Sequence, residues 1–586
     1  MAVDTGDKVT RKYQQFRGVD LRGEECSINR SPDSLNMWRN YKELASIETR
    51  PGLEHLVKAN KGIRCMMWDK DRLYCIDEDG HLFYRLKGDI IIGLFTVGKN
   101  GVLFSFGGKV YAMGSKKYVN VTDNEDVVPY IPTTSIAGKA SNDNGPSGES
   151  KSYEDANLLT NRRINTFSGN GVSRVFYLDA IAKTDGEKVY VNGRQLDREE
   201  YEWLSSYCID FDTPPGEPQT DGQDNVSIEF EVRKDINGNT VDLEEKRNKI
   251  LKCTLIQEFD NRVFFSGNPD YPNMVRHCSL ENPAYISDLD YYTDGSDSTP
   301  IRSMVAGNNG LWVFREESPS NNNVFYHTPA LDADYGKIYP SSHSSIAIGC
   351  VGRACNFNDD IVFFSRRGME GASTDITTEQ FATHRSSLVD RMMLTNDNYK
   401  DMVLAEWEGY LFVFMGSDVY LADSRAVTTI ENHIEYEWYR WNLGDQVTVT
   451  CATVHDGVLY IGTKEGDVYS FTGNPQNGDI HKGQVKTKIE SYWTTPKDTF
   501  GAPNKLKTTN KKGCVVEAIG DIDVSVKTDD DDAYELIGTN EGIDDYFVSR
   551  IKRKKFKDLQ LKFESKTRFS LEAVTIETFV GGYIKR

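Results

Sequence analysis

One pattern of polar and apolar positions recurs along the chain at nearly constant spacing. Each copy is a short polar turn followed by a continuous run of apolar and aromatic residues, and five copies, 48 to 50 residues apart, begin at Asp260, Asn309, Asp359, Glu408 and Asp456. Two earlier copies begin at Asp71 and Asn100. A strand-forming phrase repeated every 40 to 50 residues or so is typical of a β-propeller, in which each repeat forms one blade. We therefore predict an all-β fold with a propeller of six or seven blades.

The breaks in this period predict the domain boundaries. The 160 residues between the copies at Asn100 and Asp260 exceed one repeat, and they contain alternating strand patterns and an Asn192-Gly193 hairpin signal. We predict an inserted β-sandwich there, and a C-terminal β-sandwich where the period ends. The predicted parts are an N-terminal arm and docking segment (1–60), the first part of the propeller (61–118), the inserted module (119–252), the main part of the propeller (253–475) and the C-terminal β domain (476–586).

Helix content should be low, since only residues 376–395 suggest a short helix. The formal net charge of −20 opposes general nucleic-acid binding by the whole surface. No apolar run is long enough to span a membrane, so we expect no membrane insertion. The ten cysteines form neither Cys-x-x-Cys pairs nor clusters with histidine, which favours buried free thiols.

Three short motifs lie close together near the N-terminus. They are Phe-Arg-Gly-Val-Asp at 16–20, Asn-Arg-Ser-Pro-Asp-Ser-Leu-Asn-Met-Trp-Arg at 29–39 and Glu-Thr-Arg-Pro-Gly at 48–52. In this order they resemble the N-terminus of a family of tailed-bacteriophage virion proteins, known as minor structural, packaged-DNA-stabilising or tail-nozzle proteins. Residues 153–163, 260–273 and 574–583 resemble other parts of the same family.

The resemblance implies a structural protein of the neck or tail, a nozzle-like ring that retains and conducts packaged DNA. It implies a homo-oligomer, with six copies favoured and twelve, matching the portal, as the alternative. The expected partners are other neck and tail proteins, such as the portal or an adaptor, and the DNA that passes through. The expected location is the virion, after assembly in the cytoplasm of the host bacterium.

The motifs of common enzymes are missing from the sequence. There is no Gly-x-Ser-x-Gly, phosphate loop, His-Glu-x-x-His or sialidase-type Ser-x-Asp-x-Gly-x-x-Trp box. We therefore expect no enzymatic activity, no catalytic residues, no cofactor and no tightly held metal. The acidic run 529–532 lacks the glycine spacing of a calcium loop, and a solvated turn is the favoured interpretation.

One dense basic run stands out from the acidic chain, at residues 550–557. Clustered cations contact nucleic-acid phosphates or acidic partners, although charges also protect the edge of a sheet from aggregation. The candidates for contact with DNA or with a neighbouring subunit are Arg550, Lys552, Arg553, Lys554, Lys555 and Lys557.

A second function from a different class remains open. A propeller with surface loops also suits a phage receptor-binding, carbohydrate-binding or depolymerase subunit. Such an enzyme requires acids that converge beside aromatic platforms, which the sequence alone does not reveal.

Overall fold

The computed structural model describes most of the chain. The described residues are 7–23, 26–42, 47–86, 90–114, 117–120, 126–129, 139–141, 157–220, 222–234, 240–318, 322–333, 336–343, 348–372, 382–430, 433–529, 531–542, 545–552 and 555–583. They form two compact units, of which unit 1 comprises residues 1–94 and 348–586 and unit 2 comprises residues 95–347.

Seven antiparallel sheets repeat the same up-and-down order of strands, and we number them blades 1 to 7 along the chain. Six have four strands each, and the seventh carries two additional short strands. The structure thus confirms the all-β class and, in the described residues, the predicted propeller-type repeat of four-stranded antiparallel sheets.

Unit 1 contains blades 1, 5, 6 and 7. The strands are, for blade 1, Ile63–Asp69, Arg72–Asp77, His81–Leu86 and Ile90–Thr96; for blade 5, Ala354–Phe357, Asp360–Ser365, Gly368–Ala372 and Ala382–His384; for blade 6, Val403–Trp407, Tyr410–Met415, Asp418–Ile430 and His433–Asn442; and for blade 7, Val449–His455, Val458–Thr463, Asp467–Gly473 and Gly52–Lys58, with Asp479–His481 and Val485–Thr487 added. The first strands of blades 5, 6, 7 and 1 lie side by side in that order.

Unit 2 contains blades 2, 3 and 4. The strands are, for blade 2, Val102–Phe106, Lys109–Met113, Lys117–Asn120 and Asp126–Pro129; for blade 3, Leu255–Phe259, Arg262–Ser266, Met274–His277 and Tyr291–Thr293; and for blade 4, Ile301–Gly307, Gly310–Arg315, Val324–His327 and Ser341–His343, followed by a separate hairpin of Ala330–Asp332 and Gly336–Ile338. Blade 2 continues to Pro129, past the predicted boundary at residue 118.

The recurring phrase forms the hairpin between the first two strands of a blade. Asp260 and Asn261 have φ angles of 54° and 55°, and Glu408 and Gly409 have 51° and 74°. Two successive residues with positive φ define the type I′ turn, which Asn, Asp and Gly adopt most easily. The apolar run that follows is the second strand of the blade, and in Tyr410–Met415 all six residues are buried.

The insertion in unit 2 contains two sheets that share one apolar core. The first has strands Lys139–Ser141, Arg162–Phe167, Val226–Lys234, Ile181–Ala182, Lys188–Val191 and Arg194–Gln195, and the second has Val175–Tyr177, Cys208–Phe211 and Tyr201–Ser205. Phe167 and Ile228 of the first sheet and Phe176 and Phe211 of the second belong to the same buried cluster. This packing makes the insertion a β-sandwich.

Helices are few among the described residues. Asp390–Met393 lies inside the predicted helical stretch 376–395, whereas residues 376–381 of that stretch lie outside the described part. The longer helix Leu243–Leu251 was not predicted. The Asp242 side chain accepts the Glu245 N–H and caps it, and its last two residues are buried. Short 3-10 turns occur at Arg198–Glu200, Asp397–Asp401, Pro475–Asn477 and Lys482–Gln484.

The C-terminal domain is a strongly bent ten-stranded sheet, here called the terminal sheet. Its strands are Asp7–Tyr13, Ser34–Leu35, Met37–Arg39, Ile47–Thr49, Ser491–Thr494, Lys505–Thr528, Glu535–Glu541, Tyr546–Ser549, Leu559–Ser565 and Phe569–Tyr583. The 24-residue strand Lys505–Thr528 pairs first with Phe569–Tyr583 and then with Leu559–Ser565. Because one strand serves both stretches of sheet, the sheet folds over its own apolar core.

Residues 7–58, predicted as part of an N-terminal arm and docking segment, contribute strands to the terminal sheet and to blade 7. Four strands between residues 7 and 49 belong to the terminal sheet, and Gly52–Lys58 completes blade 7. Asp7–Tyr13 pairs along its whole length with Phe569–Tyr583, and Tyr13 is buried. Its mixture of charged and apolar residues looked like a loose segment, but it follows the alternation of a strand with one buried face.

The N-terminal motifs connect blades 6 and 7 with the terminal sheet. Gly18 lies against blade 6, where a Cβ atom at this position would be 2.0 Å from the Trp438 carbonyl oxygen. Arg30 forms a buried bidentate pair with Glu437, at 2.5 and 2.9 Å. Arg50 pairs with Asp479 beside blade 7 at 2.6 Å, and both side chains are almost completely buried. These motif residues therefore form internal contacts of the fold.

We expect Gly18→Ala to destabilise unit 1 strongly. The added methyl group has no room beside the rigid Trp438 backbone, and overpacking of this kind costs about 1–3 kcal/mol or more. Chemical denaturation of the purified protein measures the loss. Gly93→Ala is the matched control, since nothing lies within 4 Å of a methyl group placed at that residue, and it should stay close to the wild type. Equal stability of the two variants would contradict the packing described here.

Candidate nucleic-acid or subunit interface

Residues 550–557, here called the basic segment, connect two strands of the terminal sheet. Two apolar side chains anchor it, since Ile551 is 8% exposed and Phe556 is fully buried. The Phe556 N–H donates to the Lys507 carbonyl at 3.1 Å, and the Lys507 N–H donates to the Phe556 carbonyl at 2.8 Å. The Phe556 ring packs edge-on against Phe500 at 6.2 Å. The segment therefore has a fixed backbone at both ends.

A glycine makes room for the start of the segment. Gly513 has a φ of 76°, and a Cβ atom at this position would be 2.1 Å from the Ser549 carbonyl oxygen. Any other residue would force the long strand away from residues 549–551.

The predicted contact residues have exposed side chains wherever the structure describes them. Arg550, Lys552, Lys555 and Lys557 are exposed, whereas Arg553 and Lys554 lie outside the described residues. Within the described part of the chain, none of these four side chains forms an ion pair. The anchors thus present several unpaired cations from a fixed backbone, on a chain whose net charge is −20.

A buried lysine, Lys507, donates a hydrogen bond to the last residue of the basic segment. The Lys507 side chain is fully buried, and its ammonium donates to the carbonyl oxygens of Lys557 and Ala502, both at 2.5 Å. Burial lowers the pKa of Lys507, and the nearby carboxylates of Asp558, Asp498 and Asp529 oppose this shift. Sequence reasoning missed this residue because a lysine in a strand ordinarily faces solvent.

The N-terminal strand contributes to the same polar cluster. Asp498 accepts hydrogen bonds from the Arg11 guanidinium at 2.7 Å and from the Tyr13 hydroxyl at 3.0 Å. Asp498 exchanges backbone hydrogen bonds with Leu559, just beyond the basic segment, so the N-terminal strand is linked to the residues that follow the segment.

Two carboxylates of the acidic run 529–532, Asp529 and Asp531, accept hydrogen bonds from neighbouring residues. Asp529 accepts the backbone N–H of Lys557 at 2.5 Å, and Asp531 accepts the Thr528 hydroxyl at 2.9 Å. These bonds occupy carboxylate oxygens that a cation would need. Throughout the described residues, no group of three or more His, Cys, Asp or Glu side chains is arranged to hold a metal ion.

The most strongly perturbed histidine lies in blade 5. The His384 ring lies between Asp390, at 2.6 Å, and the buried Glu370, at 3.2 Å. Burial lowers the pKa of His384, but its bonds to the two carboxylates outweigh that effect and raise the pKa to about 10. Ser386 is buried and donates to the same Asp390 carboxylate, so it is not placed as a nucleophile activated by His384. The arrangement is an internal ion cluster.

We expect Lys507→Met to destabilise the terminal sheet and loosen the basic segment. Removing the ammonium takes a donor from two part-buried carbonyl oxygens. The Ala502 oxygen keeps its bond from the Lys505 N–H, so the expected cost, on the order of 1–3 kcal/mol, comes mainly from the Lys557 carbonyl. Chemical denaturation and amide hydrogen exchange of residues 555–559 measure the two effects. Lys486→Met, at an exposed position, is the control and should match the wild type. Unchanged exchange in the Lys507 variant would contradict its anchoring role.

The His384 cluster should make stability depend on pH. A histidine whose pKa rises from 6.5 in the unfolded chain to about 10 in the fold contributes fully below pH 6.5. That contribution is lost as the pH rises from 6.5 towards 10. We expect His384→Gln to flatten the stability profile in this window, measured as Tm against pH. A His384→Gln profile parallel to that of the wild type would rule out the charged pairing.

Comparisons with known proteins identify no family. No family model matches the chain, and no curated protein matches it. Among solved structures, the crystal structure of the computationally designed protein Ika8 covers 72% of this chain and 99% of its own, at 11% identity and a TM-score of 0.32. The crystal structure of BamB from Moraxella catarrhalis covers 75% of this chain and 96% of its own, at 10% identity and a TM-score of 0.31. Likenesses this weak carry no argument about function. In the described residues, no helix has the length and apolar character needed to cross a membrane.

Proposed function

We propose that the chain is a structural protein of a tailed-phage virion. In this proposal it forms part of the neck or tail as a nozzle-like ring, most favourably of six copies, that retains and conducts packaged DNA. Twelve copies are the alternative. The proposal also assigns it no enzymatic activity.

The observation that carries the proposal is the way the three N-terminal motifs meet in space. Asn36, in the second motif, accepts the Arg50 backbone N–H of the third motif at 2.9 Å, and its side chain accepts the Arg50 Nε–H at 3.2 Å. The Asp20 N–H of the first motif donates to the Ser31 carbonyl at 2.8 Å. Short motifs can match by chance when they are independent, but these three form one buried unit. The motifs on which the proposed resemblance rests are therefore in contact with one another in this chain.

The acidic net charge of the chain supports a conduit. A wall of negative charge repels DNA and lets it slide, which suits a net charge of −20. The fixed basic segment then provides a local contact on an otherwise repulsive chain. Identical heterologous contacts between copies close into a ring when the rotation between subunits permits.

One observation favours the second candidate, a receptor- or carbohydrate-binding subunit. On the inserted sandwich, the Tyr177 and Tyr207 side chains are 45% and 47% exposed, and their ring centroids are 6.3 Å apart. Paired exposed tyrosines provide large, rigid contact area with a polar edge. Tailed-phage proteins of either kind could carry such a surface, so location on the particle separates the candidates.

Imaging of phage particles tests the proposed function. An antibody raised against this chain, followed by electron microscopy of intact and disrupted virions, should label an axial ring in the neck or tail. The second candidate predicts label at fibre tips, together with glycan binding that Tyr177→Ala abolishes. Label confined to fibres or scattered over the capsid would overturn the proposal of a conduit, and antibody against the portal is the positive control for axial label.

A further inference from the structure

The terminal sheet has a polar groove of about 810 Å³ on its outer face. Residues from neighbouring strands line it, and five of them are carboxylates and three are lysines. Two of the lysines have partners within the groove, since Lys562 pairs with Glu564 at 2.5 Å and Lys566 with Glu490 at 3.4 Å. The remaining charged groups are Asp521, Asp523, Glu541 and one lysine, Lys488, which forms no ion pair within the described residues, so the groove is net acidic with five carboxylates against three lysines.

These three carboxylates lie close together without cationic partners. Asp521 and Glu541 are direct partners across two antiparallel strands, and Asp523 lies two residues further along the same face. Within the described residues, none of the three forms an ion pair. Like charges directly opposite each other destabilise a strand pair. A cationic partner placed in the groove would relieve that repulsion.

The basic segment has the complementary property. Its exposed cations, Arg550, Lys552, Lys555 and Lys557, also lack ion-pair partners within the described chain. These four described cations lie beside Ile551 and Phe556, whose buried side chains anchor the residues next to them. One chain therefore carries both an unpaired acidic groove and an unpaired basic segment.

We propose that the basic segment of one copy docks into the acidic groove of a second copy of this chain. The inference rests on the proposed function and deepens it by naming the contact between subunits. Groove and segment are different surfaces, so the contact is heterologous, and each copy uses both surfaces in a closed ring. Pairs of exposed charges at the rim of such a contact set specificity and are weakened by salt.

Charge reversal on each side tests this contact. One variant reverses the groove, Asp521→Lys with Glu541→Lys. The other reverses the net charge of the six-cation segment with four changes, Arg550→Glu, Lys552→Glu, Lys555→Glu and Lys557→Glu. At low ionic strength the wild type should assemble, and each variant alone should have the mass of the 66.3-kDa monomer by light scattering. An equimolar mixture of the two variants should assemble again, because every groove then meets a segment of opposite charge.

A matched control reverses two exposed lysines elsewhere in unit 1, Lys464→Glu with Lys486→Glu, and should assemble like the wild type. Circular dichroism and Tm establish that each variant is folded. If a reversal variant does not fold, the neutral versions Asp521→Asn with Glu541→Gln and Lys552→Gln with Lys555→Gln replace it, with weakened assembly as the expected result.

Three results would overturn the contact: a wild type that stays monomeric at its highest soluble concentration, a reversal variant that assembles normally, or a mixture that remains monomeric. If the segment variant assembles normally but loses salt-sensitive binding to a duplex oligonucleotide, the segment contacts DNA instead. An axial ring on particles combined with charge-insensitive assembly would overturn only this contact. Absence of the chain from the neck and tail would overturn the proposed function whatever the purified chain does.

Discussion

The buried pair of Arg50 and Asp479 is the interaction on which the rest of unit 1 depends. Asp479 also accepts the Leu53 N–H at 2.9 Å, so one carboxylate holds both the arginine and the strand that completes blade 7. Asn36 links the pair to the rest of the unit, because it also accepts the Asn442 N–H of blade 6 at 2.8 Å and donates to the Glu490 carbonyl at 2.8 Å. A buried charge without its partner costs several kcal/mol, so these contacts must form together.

This constraint explains why the N-terminal segment is so rich in polar residues although it is buried. Between its short strands, the segment has turns and loops without ladder partners, and there its side chains satisfy polar groups of its neighbours. Glu48 pairs with Arg568 at 2.8 Å, and Thr49 bonds to Ser491 at 3.0 Å. Residues whose composition suggests a solvated arm are internal connections of this unit.

Local signals made the blades predictable. The turn at Asp456-Gly457 and the apolar strand after it are adjacent in sequence. The local sequence is therefore enough to predict this hairpin. The same holds for the Asn192-Gly193 hairpin of the inserted sandwich, where both residues have positive φ. The β class, the repeat and the sandwich could all be inferred in this way.

Pairings between distant residues could not be inferred. Asp7–Tyr13 finds its partner more than 550 residues later, and no local pattern encodes that register. The basic segment was visible as a run of charges, but its support by Lys507 depends on which lysine of the strand Lys505–Thr528 faces inwards. The acidic groove combines carboxylates from different strands, so their proximity depends on the register between those strands.

The fourth strand of blade 7 has a consequence for how the chain is made. Gly52–Lys58 leaves the ribosome long before its partner Asp467–Gly473 has been synthesised. Until the third strand has been synthesised, Gly52–Lys58 has no strand of blade 7 to form hydrogen bonds with. Loop closure over such a distance makes folding slow and exposes unpaired edges to other chains. A chain cut short before residue 467 cannot complete this blade, so translation to that point is a condition for a finished subunit.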